Sequence, residues 1–179
     1  MILYGIKQVK LTELDAMSGL PVESAEAILL KTAEEAELSP VFSEGSEEIL
    51  RSSERILAIV REDDLLYGYD ITFKDNTFDE KCAELVCGYV PKGDKNGLAT
   101  PKLKDGNVAK PFKLEIWVKQ VEGDAVVGYV KITLNKCFGK FATMKVGKEF
   151  YAPEFTIKAR ENSAADLPIK ELDFVDNLE

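Results

Sequence analysis

The chain has 179 residues, of which 45% are hydrophobic and 31% are charged, and it carries a formal net charge of −9 with no histidine. This length and composition suit one globular domain with a core of its own. The absence of histidine removes the commonest general base and the commonest zinc ligand, and an acidic protein does not hold nucleic acid by counterion release.

The cysteines and the N-terminal sequence bear on the cellular compartment. The N-terminus has no basic segment followed by an apolar core, so it predicts no signal peptide, and no apolar run approaches the ~20 residues that span a bilayer. We therefore expect cytosolic synthesis and reduced thiols. The three cysteines, Cys82, Cys87 and Cys137, are expected to be buried and chemically inert.

Charge is distributed unevenly along the chain. Residues 1–80 contain 7 Lys and Arg against 18 Asp and Glu, a net charge of −11, whereas residues 81–179 contain 16 against 14, a net charge of +2. If the two parts lie on different faces, copies of the chain would attract one another head to tail. The alternative is a solvated acidic surface that favours solubility.

The first quarter of the chain predicts extended structure. Gly5–Thr12 alternates like a strand, and residues 18–21 (SGLP) form a turn. Residues 25–44 are ambiguous, because the sequence AEEAEL alone favours a helix. The flanking β pattern favours extended structure at Ile28–Thr32 and Glu35–Phe42.

Glu47–Glu62 (EEILRSSERILAIVRE) reads as a β-hairpin, in which two apolar segments flank Ser52 and Ser53. A single amphipathic helix is the competing interpretation. Ile56–Val60 is apolar on both faces of a strand, which predicts burial on both sides, either in a double-layered core or at a subunit interface.

A strand and a short helix follow, from Leu65 to Gly88. Aromatic and β-branched residues at every second position from 67 to 73 indicate a half-buried strand. Thr77 and Glu80 fit a capping box, which predicts a helix over about residues 77–87 that ends at Gly88. One apolar stripe, Phe78, Cys82, Leu85 and Val86, would cover the sheet.

Oxygen ligands are also concentrated in this stretch, at Asp70, Asp75, Asn76 and Asp79. Their spacing does not match the alternating ligands of a calcium loop, and turn and cap roles account for Asp75 to Asp79. The chain contains no phosphate-binding glycine motif and no other catalytic signature. We predict no metal, no cofactor and no enzymatic activity.

A long loop spans Tyr89–Pro111, with three prolines and an excess of lysine over aspartate that includes Lys102, Lys104 and Lys110. Loops of this length in compact domains are usually functional or disordered. The loop is therefore either a flexible solvated segment or an arm that contacts a partner.

Further strands are predicted at Phe112–Val121, Ala125–Leu134, Phe150–Arg160 and Ile169–Val175. In the first, Phe112, Leu114, Ile116 and Val118 share one face, which leaves Trp117 on the polar face. A tryptophan there is expected to be covered by a second layer or by a partner. Seven or eight strands with one helix predict a mainly β (α+β) fold, a β-sandwich or half-barrel with one flanking helix, as a single domain over residues 1–179.

Two long segments carry a family resemblance. The sequence EGSEEILRSSERILAIVREDDLLYGYDITFKDNTFDEKCAELVCG, together with PFKLEIWVKQVEGDAVVGYVKITLNKCFG and FYAPEFTIKAR, resembles the major tail tube proteins of Firmicutes phages and prophages. The similarity covers about Gly45 to Arg160. Two departures are Cys87-Gly88-Tyr89, where the family has Gly-Gly, and Trp117, where it often has tyrosine.

The resemblance implies a structural protein of the virion tail, made in the host cytoplasm. Six copies would form a ring, and stacked rings would form a channel through which DNA passes without specific binding. Other partners would be the tape measure, terminator and distal tail proteins, without membrane insertion. Under this hypothesis, contacts between subunits or rings involve the hairpin, the lysine-rich loop and the tryptophan: Glu47, Glu48, Arg51, Arg55, Arg61, Lys102, Lys104, Lys110 and Trp117.

Two alternatives stay open. One is a monomeric β-sandwich module for adhesion or ligand binding, for example in a baseplate. The other is the tube of a contractile tail or of a phage-derived bacteriocin (a tailocin), which would share the fold.

Overall fold

The computed structural model describes residues 2–53, 55–93, 96–102, 104, 110–140 and 153–178. Within these residues the chain forms β-strands and a single α-helix, which confirms the predicted mainly β class. The elements are β1 (Ile2–Glu13), β2 (Ile28–Leu30), β3 (Ala33–Ser43), β4 (Glu47–Ser52), β5 (Arg55–Arg61), β6 (Leu65–Asp75), α1 (Glu80–Cys87), β7 (Val90–Pro91), β8 (Leu98–Ala99), β9 (Phe112–Glu122), β10 (Ala125–Gly139), β11 (Glu154–Ala159) and β12 (Lys170–Val175).

One eight-stranded sheet organises the domain, with the order β2-β1-β9-β10-β11-β6-β3 and with β12 paired to β10. Every pair in it is antiparallel. The long strand β10 pairs with β9 along one edge, and its other edge pairs first with β12 and then with β11. The sheet curls far enough for β1 to contact β3, which gives the predicted half-barrel.

The core lies inside this curved sheet. Phe112, Leu114 and Ile116 of β9 are fully buried there, as their shared face predicted, and Val118 packs against the same cluster. On the opposite wall the rings of Phe73 and Phe155 stack with centroids 6.1 Å apart. Burial of large apolar side chains on both walls is the main favourable contribution to folding.

The extended interpretation of residues 25–44 is confirmed, since β2 and β3 occupy this segment and β3 pairs with β6 along its length. Tertiary pairing thus overrides the helix propensity of AEEAEL. Within the predicted loop 89–111, β7 and β8 form a short antiparallel pair; its residues 94, 95, 103 and 105–109 lie outside the described part of the chain. The same holds for residues 150–152 of the predicted strand 150–160, whose described part begins at Glu154.

Helix α1 begins later than the sequence predicted. Its N-cap is Asp79, whose side chain accepts a hydrogen bond from the backbone N–H of Cys82 at 2.8 Å. Thr77 is therefore not the cap, and Phe78 lies before the helix with 43% of its surface exposed. Asp79 can act as the N-cap because its carboxylate accepts the hydrogen bond from the third helical N–H, as a threonine hydroxyl would. The predicted end is confirmed: Gly88 is left-handed, with φ 72°, and donates to the carbonyl of Glu84.

The position of the cap leads to a simple stability prediction. Asp79→Ala should lower the free energy of unfolding by about 1 kcal/mol, because it removes the acceptor for an orphan N–H at the helix start. Urea unfolding followed by circular dichroism would measure the change. Thr77→Ala is the matched control and should have little effect on the free energy of unfolding. If Thr77→Ala lowers that free energy more than Asp79→Ala does, Thr77 is the N-cap after all.

The three cysteines are buried, as predicted, and none of them is in a disulfide. Burial raises the pKa of the Cys82 thiol well above its ordinary value, with added contributions from Asp79, Cys87 and Asp75. Burial likewise raises the pKa of the Cys137 thiol. Both thiols therefore stay protonated, and unreactive, in the folded chain.

Thiol titration tests this burial. A disulfide reagent should react with native protein only as fast as the chain opens, and with three thiols at once in denaturant. Because the folded-state pKa of Cys82 and Cys137 is raised, their contribution to stability is fully present below the ordinary value of 9.0 and is lost as the pH rises above it. Rapid labelling of native protein at pH 8 would contradict the burial.

Candidate interaction surface

The predicted hairpin at 47–61 is confirmed, and the competing helix is wrong. Strands β4 and β5 pair with each other in the register Glu47↔Arg61 to Ser52↔Arg55, and they form a separate two-stranded sheet. The base is closed by hydrogen bonds from Gly45 N to Asp64 Oδ1 at 2.8 Å and from Glu62 N to Ser46 O at 2.8 Å. In the described residues, the backbone pairing of β4 and β5 is therefore with each other, and the hairpin meets the main sheet at its base.

Every residue of β4 and β5 is exposed. Six of them are large and apolar, with exposures of 39% to 62%: Ile49, Leu50, Ile56, Leu57, Ile59 and Val60. Consecutive positions point to opposite faces of a strand, so both faces of the hairpin are apolar. A double-layered core within the chain is thereby excluded for Ile56–Val60, and the predicted burial on both sides is not found in the single chain.

The apolar surface continues from the hairpin onto the strands that carry it. Phe42 at the end of β3 pairs with Leu66 near the start of β6, and both side chains are exposed. Leu65 and Tyr67 of β6 are exposed as well, at 68% and 47%. Exposed apolar side chains gathered on neighbouring strands often mark a site of protein association.

The energetics point in the same direction. A lone two-stranded hairpin is only marginally stable in water. Burying one Leu or Ile side chain stabilises by about 1.5–3 kcal/mol, so covering the six hairpin side chains would contribute on the order of 10 kcal/mol before the cost of association is subtracted. A partner that covers the hairpin would stabilise the hairpin and bind strongly.

Charge is segregated along the hairpin. Glu47 and Glu48 lie at the base, where Glu47 is directly opposite Arg61. Arg51 and Arg55 lie at the tip, both exposed. The structure thus brings five of the predicted contact residues together on one arm, with an acidic base and a basic tip.

The three lysines predicted to form contacts with a partner differ in their surroundings. Lys102 and Lys104 are exposed. Lys110 instead forms an ion pair within the chain, with its Nζ 2.7 Å from Glu13 Oε1. Lys110 therefore helps to hold the end of the loop against β1.

Trp117 is the clearest correction. Its surface is 0% exposed, so it forms no contact between copies, and the expected cover is supplied by its own chain. Gln8 and Lys131 lie directly opposite it on the neighbouring strands, and Lys131 Nζ lies 5.6 Å from the ring centroid. The lysine ammonium thus lies over the ring of a tryptophan that its own chain closes off from solvent.

The same face contains a buried carboxylate. Glu115, with a side chain 4% exposed, accepts Lys113 and Lys131 at 3.2 Å each and approaches Lys10 at 3.9 Å. A buried charge needs such pairing, because desolvation is costly. Sequence alternation marked this face as polar but did not show that it is closed to solvent.

The aspartates considered as cation ligands have structural roles. Asp75 is buried and accepts the hydroxyl of Thr32 at 2.6 Å, Asp79 caps α1, and Asp70 lies 3.8 Å from the Arg160 guanidinium. Among the described residues, no group of three or more His, Cys, Asp or Glu side chains is arranged to hold a metal ion.

A pocket of about 480 Å³ lies beside α1 and was not predicted. Ala25, Ile28, Leu85, Val90 and Pro91 give it apolar walls, and charged residues line it as well: Glu13, Glu26, Lys81, Glu84 and Lys110. Its lining comes from well-separated parts of the chain, so no local motif in the sequence could have revealed it. The volume falls within the range of about 300–1,000 Å³ typical of binding pockets.

In comparisons with known proteins, no protein-family model matches the chain and no curated protein shows significant similarity to it. In the part of the chain that the structure describes, no helix is long and apolar enough to cross a membrane.

Proposed function

We propose that this chain is a structural subunit that binds copies of itself and builds a phage tail tube of stacked hexameric rings. The observation that carries the proposal is the exposed hairpin, with apolar side chains on both of its faces. A subunit that functions alone would expose this surface to water at a cost, whereas an assembling subunit buries it.

The resemblance of residues 45–160 to tail tube proteins supplies the kind of assembly. Its first segment includes the hairpin and α1, and its second includes the paired strands β9 and β10. The segments most similar to that family are thus the projecting arm, the helix and the strands around the core.

The charge of the chain supports the proposed channel function. A net charge of −9 disfavours binding to DNA phosphates, so a channel lined by such subunits would let DNA slide. In this proposal the protein is located in the virion tail, and its partners are other copies of itself and the tape measure, terminator and distal tail proteins. It acts without catalysis or cofactor.

A second candidate is a monomeric ligand-binding module, which the pocket beside α1 favours. The tube of a contractile tail or tailocin shares the proposed fold and assembly, and a neighbouring sheath gene would distinguish it.

Negative-stain electron microscopy of the purified protein over a range of concentrations separates these functions. We expect rings or tubes at high concentration, because burial of the hairpin increases with association. Particles that remain single subunits at every concentration would contradict the tube and favour the monomeric module.

A further inference from the structure

The tip of the hairpin combines apolar and cationic groups. Leu50, Ile56 and Leu57 are between 55% and 61% exposed, and the exposed Arg51 and Arg55 are their neighbours along the two strands. In sequence, Glu54 lowers the net charge of residues 51–55 to +1. The tip is therefore an apolar knob with cations at its sides.

The pocket beside α1 has the complementary character. Its walls are apolar, and three glutamates against two lysines line it. Lys110 is paired with Glu13 at 2.7 Å and Lys81 with Glu26 at 3.0 Å, which leaves Glu84 as the unbalanced charge of this set.

Carboxylates around Lys81 make the electrostatic potential at the edge of the pocket negative. The hydrogen bond to Glu26 is the main cause of the raised pKa of Lys81, and the charges of Glu26, Asp79 and Glu84 add to it. A guanidinium that arrives from another molecule would meet Glu84, whose charge the two paired lysines leave unbalanced. Arginine suits such a contact, because its planar fork pairs with carboxylates in a fixed geometry.

We infer that the hairpin tip of one copy inserts into the pocket beside α1 of the next copy. This inference rests on the proposed function and names the receiving surface for the arm. The occupant of the pocket is a second copy, because the tip is exposed in its own chain and its charge is opposite to that of the pocket lining. In the proposed tube the contact is heterologous: each copy inserts its tip into one neighbour and receives the tip of another.

Cross-linking between two variants tests the contact. Ser53→Cys places a thiol at the exposed hairpin turn, and Glu26→Cys places one at the exposed edge of the pocket. The native cysteines are buried and do not compete. The two variants are mixed at a concentration at which the wild type assembles and are treated with a short bismaleimide cross-linker. We expect a denaturation-resistant dimer, twice 19.9 kDa, in the mixture and in neither variant alone.

The outcomes separate the inference from the proposed function. Assemblies that form without this cross-link, or that cross-link Ser53→Cys to itself or to the control Glu122→Cys, overturn the inference and leave the tube in place. Protein that does not assemble at all overturns both.

Exchanging the charges gives a second readout that does not depend on cross-linking. Arg51→Glu with Arg55→Glu should weaken association by about tenfold or more, because like charges then face each other. Glu26→Arg with Glu84→Arg should do the same, and mixing the two charge-reversed proteins should restore association. Equal weakening in the mixture would overturn the inference.

Discussion

Replacing Ile49, Ile56 and Ile59 together by threonine should abolish self-association while the free energy of unfolding of the subunit changes by no more than about 1 kcal/mol. All three side chains are exposed in the subunit, so their removal leaves no cavity in it. Threonine keeps the β-branch that favours a strand, so the hairpin itself should still form. In the proposed assembly the same side chains would be buried, and each should contribute about 1.5–3 kcal/mol.

Sedimentation velocity would measure the association, and urea unfolding the stability. The matched control is Met17→Thr with Leu20→Thr, which removes exposed apolar surface from the turn between β1 and β2 and should leave association unchanged. If the isoleucine variant assembles like the wild type, the hairpin is not the contact surface.

Gly139→Ala should lower the free energy of unfolding by about 3 kcal/mol, the upper end of the range for overpacking. A Cβ at this position would collide with the backbone carbonyl of Val86 and would lie 2.6 Å from Val86 Cγ1. The obstacle is backbone of α1, which cannot rotate away as a side chain can. The helix must therefore move off the sheet, and its burial of Leu85 and Val86 is reduced.

Gly128→Ala is the control, because the nearest atom to its added Cβ is the Val175 carbonyl oxygen at 3.3 Å. We expect that variant to lose much less stability in urea. Similar unfolding curves for the two variants would contradict the close contact between Gly139 and the backbone of α1 at Val86. Since Leu85 and Glu84 also line the pocket, Gly139→Ala should weaken association as well.

Local patterns in the sequence predicted the strands well. The alternation in Phe112–Val118 placed the core face of β9, and the flanking β pattern placed β2 and β3 in a segment whose residues favour helix. Such periodicity indicates which side chains of a strand face the core. Burial of that face then favours one register of pairing between neighbouring strands. The hairpin was also predictable, because two apolar segments around Ser52 and Ser53 admit few other structures.

The helix start was harder to predict. Thr77 and Asp79 are both good N-caps, and both precede acidic residues that suit a first turn. Only the docked helix shows which turn forms, with Asp79 as cap and Phe78 left outside. Short-range sequence signals predict helix boundaries poorly, because an N-cap contributes about 1 kcal/mol to stability and tertiary packing contributes more.

The burial of Trp117 and the pocket beside α1 could not be predicted from local sequence patterns. Alternation placed Trp117 opposite the core face, yet the side chains beside it come from other strands, as Lys131 does. The pocket combines Ala25, Leu85 and Pro91, which are far apart in sequence. Features assembled from distant segments leave no periodic trace, so their detection requires the fold.

The central claim is that the hairpin is solvated in the free subunit and buried in an assembly. Amide hydrogen exchange, measured by mass spectrometry on monomeric and assembled fractions separated by size, tests it directly. We predict fast exchange for a peptide covering residues 47–61 in the monomer and strong protection in the assembly, while peptides from β9 and β10 are protected in both. Equal exchange of residues 47–61 in the two fractions, or the absence of any assembled fraction, would contradict the claim.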